Sequence, residues 1–414
     1  MGEAAIAWRE RSAGPLTPPR ITPRQRGALL TTAVLANNAP DLDFVYVGIT
    51  GGKLGYLLHH RGHTHTLAAL PALVLLCLAI TAIAFRPWRR ARSPSGLALS
   101  DQVGLGAVAA AGGVLHLLMD FGNNYGVHPF WPAYDGWFYG DAIFIIEPWL
   151  VILLIGMAGG VSTSRWLRGA LLLLLAALLA LAWSVAIGGP WLALALGAFS
   201  LPWVFTLWRV SARTRWRLGG ASLAVLWLVL LGTRHVARAS VRDALADSDP
   251  ELELAELVST PAPGNPLCWS LLAVQRSQRR YVVREAVASG WPWLSSAARC
   301  GFMNDGQTAP LQPSSLEPPA SRRLAWGPEF RAPLDELGSL RRGSCVARAF
   351  LRFARVPFWV RSDRHFTLVG DLRFDRSSAV EFAELPLAPD APCPRFEPPW
   401  LPPLGAFEGI ESRR

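Results

Sequence analysis

Four of the eight histidines in this chain fall within seven positions, as His59, His60, His63 and His65. They follow a Pro-Asp-Leu-Asp run that supplies Asp41 and Asp43, and a second polar knot stands at His116, Asp120, Asn123 and Asn124. Imidazole and carboxylate together form the ligand set of a hydrolytic zinc or similar divalent ion, which brings the pKa of a bound water down to about 7. The candidate metal ligands are Asp41, Asp43, His60, His65, His116 and Asp120, with His59 and His63 also within the cluster. His116 and Asp120 are four apart, so on a helix they share one face, as two ligands to one ion must. Asp141 and Glu147 are the next acids and are expected to orient a histidine or to act as general base. Arg61 is the cation placed to neutralise a carboxylate there.

A plainer reading competes with this one: histidines and aspartates near helix ends can hydrogen-bond to one another and to loop backbone, locking helices together without catalysis. A lone His-x-His favours that reading, whereas His-x-x-x-Asp and Asp-x-Asp beside it favour a metal. His128 and His365 are isolated and read as structural or surface residues, and His235, among arginines at a helix end, reads the same way. The chain has no His-Glu-x-x-His, no phosphate loop followed by Lys and Ser or Thr, and no Gly-x-Ser-x-Gly elbow.

The segments that must carry these groups are apolar. Hydrophobic residues make up 51% of the chain and charged residues 17%, which places it among integral membrane proteins and makes ionisable groups at membrane depth a functional signal. The formal charge of +10 comes from arginine clusters between apolar runs, as at the flanks of spanning helices, so no nucleic-acid partner is expected and the bilayer is. Residues 27–39 are too few to cross a hydrocarbon core of roughly 30 Å before Asp41. Spans are expected at 66–85, 103–119, 142–161, 169–187, 190–208 and 218–233. The second is rich in Gly and Ala, which lets a neighbouring helix approach closely. Residues 121–141, dense in aromatics, Gly and Pro and free of Lys and Arg, fit an interfacial loop.

Loops at 86–92, 165–168 and 209–217 are basic, while those at 120–141 and 187–190 carry no Lys or Arg. The positive-inside rule then puts both polar knots at outer helix ends and everything after residue 234 outside a cell (inner) membrane. The expected domains are a polar N-terminal arm at 1–26, a membrane helical bundle at 27–235 holding the site, and a soluble extracytoplasmic α+β, β-rich domain at 240–414. In the last, 280–287 and 366–374 alternate like strands and 243–258 reads as helix. Cys268, Cys300, Cys345 and Cys393 lie in that domain. An oxidising compartment predicts at least one disulfide among them, and of the three pairings possible for four cysteines Cys300 with Cys345 is the first choice.

Taken together, Pro40-Asp41-Leu42-Asp43, His60-Arg61-Gly62-His63-Thr64-His65-Thr66, His116-Leu117-Leu118-Met119-Asp120, Tyr125-Gly126 and Trp131-Pro132 resemble, in order, the motifs of the membrane-bound, metal-dependent hydrolases of the LexA-regulated YdjM type. The resemblance covers about residues 27–150, and more loosely the C-terminal part, where 261–269 and Asp371-Leu372-Arg373-Phe374 are similar to an extension that some members carry. Thr66 stands in place of the usual Ser, Glu147 where Asp is expected, and His63 at a variable position. The resemblance implies a metal-dependent hydrolase and no known substrate. The leading expectation is hydrolysis of an ester or phosphoester of a lipid or envelope precursor; the alternative is a non-catalytic membrane scaffold or stress-response protein. Members also open with a His-bearing helix before Pro-Asp-x-Asp. As no histidine precedes His59, the coding frame is expected to continue upstream of Met1 and to supply one.

Overall fold

The computed structural model of the protein describes residues 23–85, 99–161, 164–185, 190–246, 248–300, 306–317, 321–363 and 365–403. Most of the expected N-terminal arm, the basic loop at 86–92 and most of the break at 187–190 lie outside the described residues. The chain forms two compact units: one comprises residues up to 49, 59–121 and 125–138, the other 50–58, 122–124 and 139 onward.

Among its described residues the first unit is built on three helices, α1 (Pro23–Asn38), α4 (Leu70–Ala84) and α5 (Leu99–Phe121). Between α1 and α4 the chain makes a 3-10 turn at Pro40–Asp43, the short helix α2 (Phe44–Thr50), the short helix α3 (Gly52–His59), which up to Leu58 counts with the second unit, and a second 3-10 turn at His63–His65. Small residues set the packing. Ala28, Leu29, Ala33, Leu105 and Val108 form one buried cluster and Ala36, Ala39, Cys77 and Ala109 another. A Cβ on Gly112 would lie 2.8 Å from the Cβ of Ala36, and one on Gly113 2.7 Å from Leu70. Glycine is therefore what lets α1 and α4 lie directly on α5. Gly104 and Gly106 have nothing within 4 Å, so only half of the expected small-residue stripe is used. Thr32 and Thr81 add a buried hydroxyl pair at 3.0 Å between α1 and α4.

The second unit has four apolar helices, α6 (Pro148–Val161), α7 (Arg165–Val185), α8 (Pro190–Arg209) and α9 (Ala212–Ala246), around a core of Ile152, Leu153, Ile155, Leu175, Leu192, Leu196 and Trp203. An antiparallel sheet follows, with β1 (Glu253–Ala262), β2 (Asn265–Arg276), β3 (Arg280–Ser289) and β4 (Leu324–Pro333) in sequence order. Helices α10 (Leu334–Gly343) and α11 (Cys345–Phe350) lead to a three-stranded sheet of β5 (Pro357–Ser362), β6 (His365–Asp371) and β7 (Glu384–Pro386). Helix α9 docks on the first sheet: the Thr233 hydroxyl donates to Pro266 O at 2.6 Å and accepts from Trp269 Nε1 at 3.2 Å.

Three of the described helices are long and apolar enough to cross a membrane, at 102–121, 165–183 and 213–246. Hydropathy alone reads six spans, because it registers apolar runs whether or not they are helical. The 66–85 run becomes helix only at Leu70, since Thr66 is extended (φ −121°, ψ 152°), and the 142–161 run only at Pro148.

Two expectations are corrected. The helical reading of 243–258 fails after Ala246: the Asp249 carboxylate accepts from the Glu251 N–H at 3.1 Å, a turn that continues through Pro250 into β1 at Glu253. The disulfides are Cys268–Cys300 and Cys345–Cys393, with Cα separations of 5.3 and 5.4 Å, so Cys300 does not pair with Cys345. Backbone bonds from Gly290 N–H to Leu267 O and from Cys300 N–H to Ala297 O fold the chain after β3 back toward Cys268 on β2.

Candidate metal centre

The six candidate ligands all lie in the first unit. The Pro40–Asp43 turn presents Asp41 and Asp43; the stretch leaving α3 presents His60, Arg61 and His65; the last turns of α5 present His116 and Asp120. The Gly112 contact lies one turn before His116, and it brings the end of α1 close enough for Asn37 O to accept from His116 Nδ1 at 2.6 Å. A carbonyl only accepts, so His116 carries a proton on Nδ1 and turns Nε2 inward. His65 is fixed in the same way, with Nδ1 3.2 Å from Asp43 Oδ2.

The two Nε2 atoms consequently face each other at 3.2 Å. His65 Nε2 is 3.2 Å from Asp120 Oδ2 and 3.5 Å from Asp41 Oδ1; His116 Nε2 is 3.3 and 3.6 Å from the same two atoms. Four ligands at about 2.0 Å from a zinc ion in tetrahedral geometry stand about 3.3 Å apart. Five edges of the Asp41, His65, His116, Asp120 group match that spacing. Asp120 Oδ2 is buried with no hydrogen-bond partner among the described residues, and two carboxylate oxygens in this space call for positive charge beside them, which a metal ion or protonated imidazoles would supply. These four residues could hold a metal ion.

Asp43 and His60 have different surroundings. Asp43 is fully buried and its Oδ2 also accepts from the Arg61 N–H at 2.9 Å and the Thr64 hydroxyl at 3.2 Å, while Oδ1 meets His60 Nδ1 at 3.2 Å. It is placed to orient the His65 ring. Asp43 and His60 also form, with Asp41, a second group close enough to hold an ion. Arg61 sits at φ 59°, a backbone region that few non-glycine residues adopt. Its guanidinium grips Asp120 Oδ1 at 2.9 Å and lies over the Tyr125 ring, which leaves Oδ2 of that acid for the site. His63 packs its ring on Trp131 and stacks on His59, and neither histidine belongs to a metal-competent group among the described residues.

Asp141 and Glu147 fall in the second unit and in neither metal-competent group. Arg355 takes both oxygens of Asp141, at 2.8 and 3.0 Å, and reaches Glu256 at 2.8 Å. Burial alone would lower the Arg355 pKa, but these two acids raise it. Glu147 is buried, with Oε1 3.5 Å from the Trp149 N–H. Sequence reasoning missed both Asn37, because a backbone carbonyl has no sequence signature, and the Arg355 clamp, because its partner is 214 residues away. His128, expected to be structural or at the surface, is buried, packs on Trp137 and contacts Arg61 O at 3.4 Å; burial pushes its imidazole pKa down to about 3. His235 and His365 are exposed.

No curated protein and no solved structure gives a significant match to the chain. A family model described as YdjM inner membrane protein matches residues 11–191, a stretch that includes all six candidate ligands, Arg61, Asp141 and Glu147. Over residues 11–191, somewhat less than half of its length, the chain is thus similar to the YdjM inner membrane protein family.

Proposed function

We propose that this protein is a membrane-bound, metal-dependent hydrolase that acts on an ester or phosphoester bond of a lipid or envelope precursor. The observation that carries the reading is the convergence of two imidazole Nε2 atoms and two carboxylate oxygens at 3.2–3.6 Å. Two imidazoles and two carboxylates suit zinc. Such an ion supplies Lewis acidity, which makes water a usable nucleophile near neutral pH and polarises the bond to be cut. The chain's own part is to hold His65 through Asp43, His116 through the Asn37 carbonyl, and Asp120 through Arg61. Asp41 is the most exposed member, at 36% for its side chain against none for His65, so substrate approaches from the Asp41 side. Leu42, Phe44, Val45 and Ile49 are exposed next to it, which suits an amphiphilic substrate. The orienting or proton-accepting roles of Asp141 and Glu147 belong to the same proposal. So does the placement of the region after residue 240 outside the membrane.

Elemental analysis of detergent-purified protein beside the His65→Ala variant tests it. Near-stoichiometric zinc in the parent and none in the variant is expected, together with hydrolysis of a phosphoester or lipid-ester panel by the parent alone. Folded parent protein that binds no divalent metal would leave the polar cluster as a helix lock and overturn the enzyme reading.

A further inference from the structure

The loop after β3 carries exposed Trp291, Trp293 and Leu294, at 58%, 83% and 64% exposure. It is not a frayed segment. The Ser289 hydroxyl accepts from the Trp291 N–H and donates to Ser295 O, the N–H groups of Leu294 and Ser295 return to Trp291 O, and the Cys268–Cys300 disulfide closes the segment. A rigid turn that holds three large apolar side chains in the open needs something to cover them.

Its place on α9 says what. The apolar stretch of that helix follows Arg213, Arg215 and Arg217 and ends at Thr233, where Arg234, His235 and Arg238 begin. From Arg217 to Thr233 is a rise of roughly 24 Å at 1.5 Å per residue, most of the roughly 30 Å of a hydrocarbon core. Thr233 therefore marks the point where the helix leaves the bilayer. Gly290, the residue before Trp291, lies so close to Thr233 that a Cβ there would come within 2.3 Å of it. Backbone bonds from Ser289 to Arg323 and from Ala297 to Arg322 place two exposed arginines beside the loop, and exposed Arg299 lies within the same segment. Tryptophan and leucine with an arginine rim are the residues found at the headgroup level.

We infer that the Trp291–Leu294 loop inserts into the lipid interface at the exit of α9 and seats the sheet on the membrane surface. The contact is with phospholipid, not a protein, and it holds whichever side of the membrane the sheet occupies. It also stands apart from the proposed hydrolase activity.

Replacing Trp293 by the photoreactive benzoylphenylalanine in the full-length protein, irradiating native membranes and analysing adducts by mass spectrometry tests it. Glu251, which is 79% exposed and precedes β1 at the opposite end of that strand from the Ala262 hairpin, serves as the control position. Phospholipid adducts at 293 at least tenfold above those at 251 are expected. Adducts to another protein, or lipid adducts no more frequent than at 251, overturn it. Because Trp293 is so exposed, the substitution leaves the fold intact, and intact Cys268–Cys300 pairing in the same digest verifies that.

Discussion

Asp43→Asn separates the residues that would touch a metal from those that hold them. In the parent, Asp43 Oδ2 receives three donors, from His65 Nδ1, the Arg61 N–H and the Thr64 hydroxyl, while Oδ1 meets only His60. The asparagine therefore keeps its oxygen toward the three donors and turns its NH2 to His60, whose ring can change tautomer to accept. The bond to His65 survives but loses its charge assistance, and ionic hydrogen bonds are roughly twice as strong as neutral ones. Loss of such an orienting partner lowers metal affinity by about 10- to 100-fold, or about 1.4–2.7 kcal/mol. The retained bond places Asp43→Asn near the lower figure and Asp43→Ala near the upper. Competition with a zinc chelator on detergent-purified protein reads this directly. If Asp43→Asn empties the site as completely as His65→Ala, Asp43 is itself a ligand and the assignment of roles here is wrong. An unchanged affinity would mean that Asp43 does not orient His65.

Gly112→Leu forces apart α1 and α5 where Ala36 touches, which costs about 1–3 kcal/mol and pulls Asn37 O from His116; lower melting temperature and lost metal are expected, while Gly106→Ala, with open space around it, changes neither. Arg355→Met leaves buried Asp141 with only the more distant Arg238, at 3.8 Å, and should destabilise the protein by up to about 3 kcal/mol, the low end of the cost of breaking a buried pair. Adding Asp141→Asn should restore part of that loss, and full additivity in a denaturation series would contradict the clamp. A reporter active only in the cytoplasm, fused at the C-terminus, is expected to be silent; a bright signal would reverse the proposed orientation.

The site was more legible than the helices around it. Histidine and aspartate in apolar surroundings stand out from composition alone, and His116 and Asp120 needed only the helical period to be paired. Asp41 and Asp43 looked equivalent as a dipeptide pattern, yet they lie on a 3-10 turn of three residues per turn, where residues two apart point in different directions. Asp41 joins His65, His116 and Asp120 in the four-residue candidate group, while Asp43 lies behind the His65 ring and joins only the smaller group with His60. Span boundaries were less legible because Leu70 and Pro148 open helices inside apolar runs whose first residues are extended or irregular. That the four C-terminal cysteines form disulfides was legible, but their pairing was not, since Cys268 and Cys300 meet through the return of the Trp291–Leu294 loop, a path that spacing does not encode.

Arg61 is where three separate stretches of the first unit meet. Its amide holds the Asp43 turn, its guanidinium the end of α5, and its carbonyl the loop at His128. The walls of the site are thus not independent pieces that assemble one at a time. Freeing any one of them loosens the residue that secures the other two, so the pocket is expected to order and disorder as a single cooperative body. An occupant that stabilised one wall would tighten all three, and loading of the site would register as slower hydrogen exchange in the loop around His128 as well as at the ligands.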